Sequence, residues 1–197
     1  MGKVFADQSM SLDGFSAGAN VDQDNAMGDG GEGLHEWMFH SGGKTGHRGE
    51  ALEDLFGNTG AVVVGRRTFD LGEKPWGDEP VFHRPVFVVT HRPKAVVTKR
   101  GGTSYRFVTD GLEAAIGQAR AAAGERDVLV LGGATIIQQC LRARLLSELR
   151  LHVVHRLLGA GTSLFAGVDP ATTALERTRL IDAEGVSHFT FRVGNPA

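Results

Sequence analysis

Cysteine is almost absent from this chain of 197 residues. The single Cys140 excludes an internal disulfide and any zinc site built from paired cysteines. Neither sign of charge is in excess, and a net charge of −2 gives no reason to expect nucleic acid or an anionic membrane as partner. No apolar run approaches a membrane span. The opening residues, MGKVFADQSM, lack the basic and apolar regions of a signal peptide, so a cytoplasmic location is expected. The glycines are numerous but follow no period, which excludes a repeat array. With no linker-like shift in composition, a single domain over residues 1–197 is the simplest expectation.

The densest signal is Asp127 to Leu145, DVLVLGGATIIQQCLRARL. An apolar strand runs into Gly132-Gly133, and a helical pattern starts at once, with Ile136, Ile137, Cys140, Leu141 and Leu145 on one face. The first N–H groups of such a helix have no partner within it, and with the positive end of the helix dipole they form a site for phosphate. A tight turn without a ligand is the alternative.

Lys3 to Met10 reads as a first strand, although Asp7, Gln8 and Ser9 interrupt its apolar pattern. Either it lies at an edge or those groups face a polar cavity. Ser16 to Gly33 reads as a long mobile loop, Leu34 to Phe39 as a helical turn or two, and Arg48 to Phe56 as a helix closed by Gly57. Strands are expected at Ala61–Val64, Val86–Val89, Tyr105–Val108 and Glu148–Leu158. A helix after Asp110, read as an N-cap with Glu113 completing a capping box, should end at Gly124. Leu175–Ile181 and Val186–Val193 read as a hairpin, with Phe189, Phe191 and Val193 on one face. Alternating strands and helices followed by strands alone predict an α/β fold. Its sheet should be mostly parallel with helices on both faces and an antiparallel end.

Two motif matches fail. Gly28, Gly30 and Gly33 spell a dinucleotide fingerprint, but the polar stretch before them is no strand. Gly43-Lys44-Thr45 ends like a phosphate-binding loop, but Met38 stands where its first glycine is required. His152 and His155 point to opposite faces of a strand, so no metal site is expected.

Three strand ends share a chemistry: Gly65-Arg66-Arg67-Thr68, Thr90-His91-Arg92 and Gly132-Gly133-Ala134-Thr135. Ligands of open parallel sheets sit at the carboxyl ends of the strands. Helix N-termini with the Thr68 and Thr135 hydroxyls can hold a pyrophosphate, and arginines can grip a phosphate monoester. A dinucleotide with an additional phosphate is NADPH. Solvated surface arginines are the plainer alternative.

MSLDGF (Met10–Phe15), VVVGRRTFD (Val62–Asp70), VFVVTHRP (Val86–Pro93), VLVLGGATIIQQCL (Val128–Leu141) and LLGAGTSLF (Leu157–Phe165) follow one another in an order and spacing that resemble the dihydrofolate reductase superfamily. Within it, the chain resembles most the bacterial proteins that share the reductase domain of the riboflavin-biosynthesis deaminase-reductase. The resemblance implies a three-layer α/β/α fold. It assigns the three strand-end clusters to the phosphates of NADPH, and it sets Ser9 beside the nicotinamide. It also implies hydride transfer to a small heterocyclic substrate of pteridine, aminopyrimidine or flavin type, and pairing as a homodimer. Folate-reducing members carry an acid on the first helix. Alignment on Phe39 puts His35 there, with Glu36 one residue away, while Asp7 falls on the first strand where folate reductases have an apolar residue. Asp7 is therefore the first candidate for proton donor and Glu36 the second; a structural hydrogen bond is the alternative for Asp7. Asp13 is expected to order its own turn. Two functions stay open: an NADPH-dependent reductase, and a catalytically silent nucleotide-binding module serving as sensor or interaction partner.

Overall fold

The computed structural model describes residues 2–39 and 55–194. The expected helix over 48–56 lies outside them apart from Leu55 and Phe56. Among the described residues, nine strands form one sheet. In chain order its members are β1 (Val4–Ser11), β3 (Thr59–Gly65), β4 (Pro85–Val89), β5 (Val97–Thr98), β6 (Ser104–Val108), β7 (Asp127–Gly132), β8 (Glu148–Val154), β10 (Ala174–Ala183) and β11 (Val186–Gly194). Across the sheet they run β10-β11-β8-β1-β7-β3-β4-β6-β5. From β8 to β6 all neighbours are parallel; β11, β10 and β5 add antiparallel edges.

The central strands are apolar runs because both faces are covered. Every residue of β3 is buried. On one face Val4, Ala6, Val63 and Val130 pack under α3 (Leu112–Ala123) and α4 (Ala134–Arg142). On the other Phe5, Val62, Val64 and Leu129 pack under α2 (Arg66–Trp76), through Phe69 and Trp76. A short α1 (Glu36–Phe39) follows a 3-10 turn over Gly31–Leu34. Phe189, Phe191 and Val193 of the C-terminal hairpin face the α3–α4 core.

The structure corrects several local expectations. β1 is interior, flanked by β8 and β7, and of its polar groups Asp7 lines a small cavity. Asp110 does not cap α3: the N-cap is Gly111 at φ 92°, with no side-chain hydrogen bond. β8 stops at Val154 rather than Leu158. The glycine-rich stretch from Ser16 is knitted to itself and to the fold. β2 (Phe15–Ala17) pairs with β9 (Thr162–Ser163), and Gly18 N donates to Met27 O while Asp29 N donates to Ala19 O, each at 2.8 Å. A Cβ at Gly18 would collide with the Asp29 backbone, so this close approach needs glycine. Asp13 accepts from Leu158 N and Gly159 N as well as serving its own turn. It thereby ties the turn after β1 to the loop after β8, and the Ser11 hydroxyl and these donors hold its carboxyl below the usual value.

Candidate functional site

β7, β3 and β4 are neighbours and parallel, so the three glycine, threonine and arginine clusters fall side by side along one edge of the sheet. They also touch. Gly133 N donates to Thr68 Oγ1 at 2.7 Å, joining the β7–α4 turn to the first turn of α2. The Gly132–Gly133 peptide bond is cis. Arg66 Nε donates to Asp70 Oδ1 at 2.7 Å, and Arg92 Nη2 to Asp70 Oδ2 at 3.2 Å, so one carboxylate holds arginines from two clusters. Arg67 donates to Val21 O at 3.0 Å and reaches the glycine-rich loop. Thr90 is buried, its hydroxyl accepting from Arg92 N at 3.0 Å, while His91 is exposed.

This edge has the features a dinucleotide needs. The N-caps of α2 and α4 are Gly65 and Gly133, and neither helix start is closed by a side chain. A Cβ at Gly65 would lie 2.9 Å from Ile136 Cγ1, and one at Gly133 3.0 Å from Thr68 Oγ1, so both turns lack room for a side chain. Ala134, Thr135 and Ile136 follow directly in the first turn of α4.

The second half of the site grows from β1. Strand alternation places Asp7 and Ser9 with Phe5 on the α2 face, both of them buried. On β8, Arg150 and His152 point to the same face, and on β11 His188 and Thr190 do. Register pairs Ser9 with His152, and His152 with His188, directly across the ladders. The outcome is a hydrogen-bonded row. Asp7 Oδ1 lies 2.9 Å from His152 Nε2, and His152 Nδ1 lies 2.7 Å from His188 Nδ1. Trp37 of α1 covers both rings, with centroids 4.5 and 4.8 Å away, and its Nε1 donates to Ser9 Oγ at 3.1 Å. Leu34, Val154 and Val186 close the apolar end. A cavity of about 20 Å³ touches Asp7, His152 and His188, enough for one water. His35 packs nearby. Burial, and then the charge of His152, lowers its pKa, and its Nδ1 is buried without a hydrogen bond.

The two acid candidates part company here. Asp7 sits in the row, whereas Glu36 is more than half exposed and lies 3.6 Å from Arg156. The residue of α1 that reaches Ser9 is Trp37. His152 and His188 are site residues that the motif search passes over. Their signal was present: each lies on the polar side of an alternating strand, on the face that alternation shares with Arg150 or Thr190. The glycines of the rejected fingerprint have another duty: Gly28 and Gly30 sit at φ 71°, and a Cβ at Gly28 would lie 2.5 Å from Gly18 O. Among the described residues no group of side chains could hold a metal, and no helix is long and apolar enough to cross a membrane.

Comparison with known proteins agrees with this layout. A family model described as the RibD C-terminal domain matches residues 2–187. The uncharacterized protein YyaP of Bacillus subtilis (strain 168) is 23% identical over 172 residues, covering 84% of this chain and 81% of its own. A Shewanella sp. PV-4 protein assigned provisionally to riboflavin biosynthesis superposes with a TM-score of 0.75 at 18% identity, covering 98% and 99% of the two chains. Dihydrofolate reductase from Enterococcus faecalis, complexed with NADP(H) and RAB-propyl, superposes with a TM-score of 0.59 at 16% identity, covering 98% and 97%. The expected α/β fold of the dihydrofolate reductase superfamily is what the structure has.

Proposed function

The chain belongs to the RibD C-terminal domain family, and from that premise we propose that it is a cytoplasmic NADPH-dependent oxidoreductase that reduces a small heterocycle of pteridine, aminopyrimidine or flavin type. The observation that carries this reading is the adjacency of two half-sites. An edge of open helix starts and arginines lies across β7 from a buried acid on β1. A fold neighbour holds NADP(H), and the starts of α2 and α4 here carry no side-chain cap, which suits a pyrophosphate.

Gly65, Thr68, Gly132, Gly133, Ala134 and Thr135 would hold the pyrophosphate. Arg66, Arg67, Thr90, His91 and Arg92 would read the adenosine side and its extra phosphate, and Ser9 would border the nicotinamide. NADPH, when bound, supplies the hydride. The chain's own work is orientation, exclusion of water and delivery of a proton to the substrate. We assign that last task to Asp7. It is buried, it is hydrogen-bonded to His152, and a carboxylate left alone there would cost several kcal/mol. An acid at this place favours turnover over a silent binding module. Trp37 and Leu34 keep bulk water from the row.

A panel of pteridines, aminopyrimidines and flavins, followed by loss of NADPH absorbance, tests the reading. Turnover of at least one is expected. Tight NADPH binding with no turnover across the panel would replace the reductase with the silent module.

A further inference from the structure

The cavity that touches Asp7 measures about 20 Å³, room for one water and not for a heterocycle. Something must move before a flat ring can reach the acid, and the side chain that lies over the row is Trp37. We propose that the indole of Trp37 occupies the substrate slot itself, and that a planar heterocycle of two fused rings with a ring N–H takes its place. The inference rests on the reductase reading for the presence of such a substrate, and it makes the closed form self-inhibited.

The contacts of the indole are those that such a ring would need. Trp37 Nε1 donates to Ser9 Oγ at 3.1 Å, so the slot already holds one ring N–H at its polar edge. The indole lies 4.5 Å from the His152 ring in a tilted contact and 4.8 Å from the His188 ring in an edge contact. Flat π systems pack in these ways. Leu34, Val154 and Val186 pack against the same side chain and give the slot an apolar wall. Apolar walls with a few fixed polar groups are the usual lining of a small-molecule site. Ser9 and Asp7 share one face of β1, so a ring held at Ser9 in place of the indole comes within reach of the acid.

Two features make Trp37 a displaceable occupant rather than a fixed wall. It is only partly buried, whereas Leu34 beside it is fully buried, so the indole already meets solvent on one side. The hydrogen bond it gives up at Ser9 is replaced in kind by the N–H of the incoming ring, so the exchange leaves no polar group at Ser9 unpaired. The size of the indole narrows the substrate class. A fused pair of rings, as in a pteridine, spans both histidines and reaches Ser9. A single pyrimidine ring fills less of the slot and gives up one of the ring contacts.

Calorimetric titration of the protein without cofactor tests the displacement, with pterin as the fused-ring probe and isocytosine as the single-ring probe. Trp37→Ala removes the occupant. Pterin should then bind on the order of tenfold more tightly than to wild type, the reciprocal of an open fraction of about a tenth. Trp37→Phe keeps a ring but cannot donate to Ser9, and its affinity should fall between the two. Pterin should also bind Trp37→Ala more tightly than isocytosine does, and the reverse order would overturn the fused-ring assignment. Weaker binding of pterin to Trp37→Ala than to wild type overturns the proposal and makes the indole a stacking wall. Equal affinities, or no binding to either protein, overturn it too.

A second measurement needs no substitution at position 37. The indole N–H of Trp37 is followed by NMR as pterin is added, with Trp76→Phe showing which of the two indole signals is its own. Displacement requires that signal to lose its hydrogen-bonded shift and to exchange faster with water. An indole N–H that keeps its bond to Ser9 in the pterin-saturated protein overturns the proposal. Neither measurement uses NADPH or turnover. Turnover of a panel compound alongside a failed displacement would therefore leave the reductase reading standing, and a panel without turnover would sink that reading alone.

Discussion

The amide of Gly133 donates to the hydroxyl of Thr68 at 2.7 Å, so the glycine turn after β7 is fastened to the helix after β3. Thr68→Val keeps the side-chain shape and removes the acceptor. The loss of one neutral hydrogen bond should destabilise the fold by about 1 kcal/mol, which lowers Tm by roughly 2–4 °C for a protein of this size. NADPH should also bind more weakly, because the turn meant for the pyrophosphate is no longer held. A variant with unaltered Tm and unaltered affinity would separate the two clusters.

NADPH should bind more tightly than NADH. Arg66 and Arg92 converge on Asp70 from two strand ends, and a phosphate there can take charge-assisted bonds, each contributing about 1.5–3 kcal/mol. Arg66 should matter more than Arg92, whose side chain is 71% exposed and therefore more screened. Calorimetric titration of both cofactors against wild type, Arg66→Ala and Arg92→Ala decides it. Equal wild-type affinities would return these arginines to surface duty.

The α/β architecture was legible because its signals are local. The apolar run Ala61–Val64, the Gly132-Gly133 turn and the hairpin around Gly185 each declare their element within a few residues. The side-by-side placement of the three glycine, threonine and arginine clusters was legible for the same reason, since each cluster directly follows its strand. The row from Asp7 to His188 was only half legible. Asp7 stood out as a polar residue in an interior strand, but its nearer partner, His152, lies 145 positions away in sequence, and His188 lies farther still. They meet only through ladder register. Register between distant strands is set by packing across the whole sheet, which no short window contains. The capping box at Asp110 failed because Gly111, with its positive φ, takes the cap position.

Stability should fall as the solution is acidified through the range of His35. Burial, and then the charge of His152, lowers its folded pKa below the usual value of about 6.5. Between the folded and unfolded pKa the unfolded chain holds more protons, so stability rises with pH across that window. The contribution is complete above about 6.5 and is lost below it, levelling off under the folded pKa. His35→Phe should flatten this part of a Tm-against-pH curve. A variant curve parallel to the wild type would assign the acid sensitivity elsewhere.

A homodimer is expected from the C-terminal hairpin. β10 is the outermost strand of the sheet, and it exposes Leu175 and Leu180 at 43% and 46%. Open edge strands with apolar side chains are readily covered by a second chain. Leu180→Lys should shift the protein toward monomer in light scattering at micromolar concentration, with its Tm little changed. A wild-type protein already monomeric under those conditions removes the expectation.

The sharpest prediction concerns Asp7, the acid that stands on β1 where folate reductases are apolar. Asp7→Asn keeps the volume and can still hydrogen-bond His152, because an amide offers either a donor or an acceptor to Nε2. What it removes is the titrating proton. If Asp7 is the donor, NADPH affinity should stay nearly unchanged while turnover falls by a factor on the order of 10²–10⁴, the usual share of general acid–base catalysis. Glu36→Gln is the matched control: its carboxylate is exposed and lies beside Arg156, so it should cost little. Normal turnover in Asp7→Asn together with a lowered Tm would make Asp7 a residue of the fold. The proton would then come from water at the cavity beside His152.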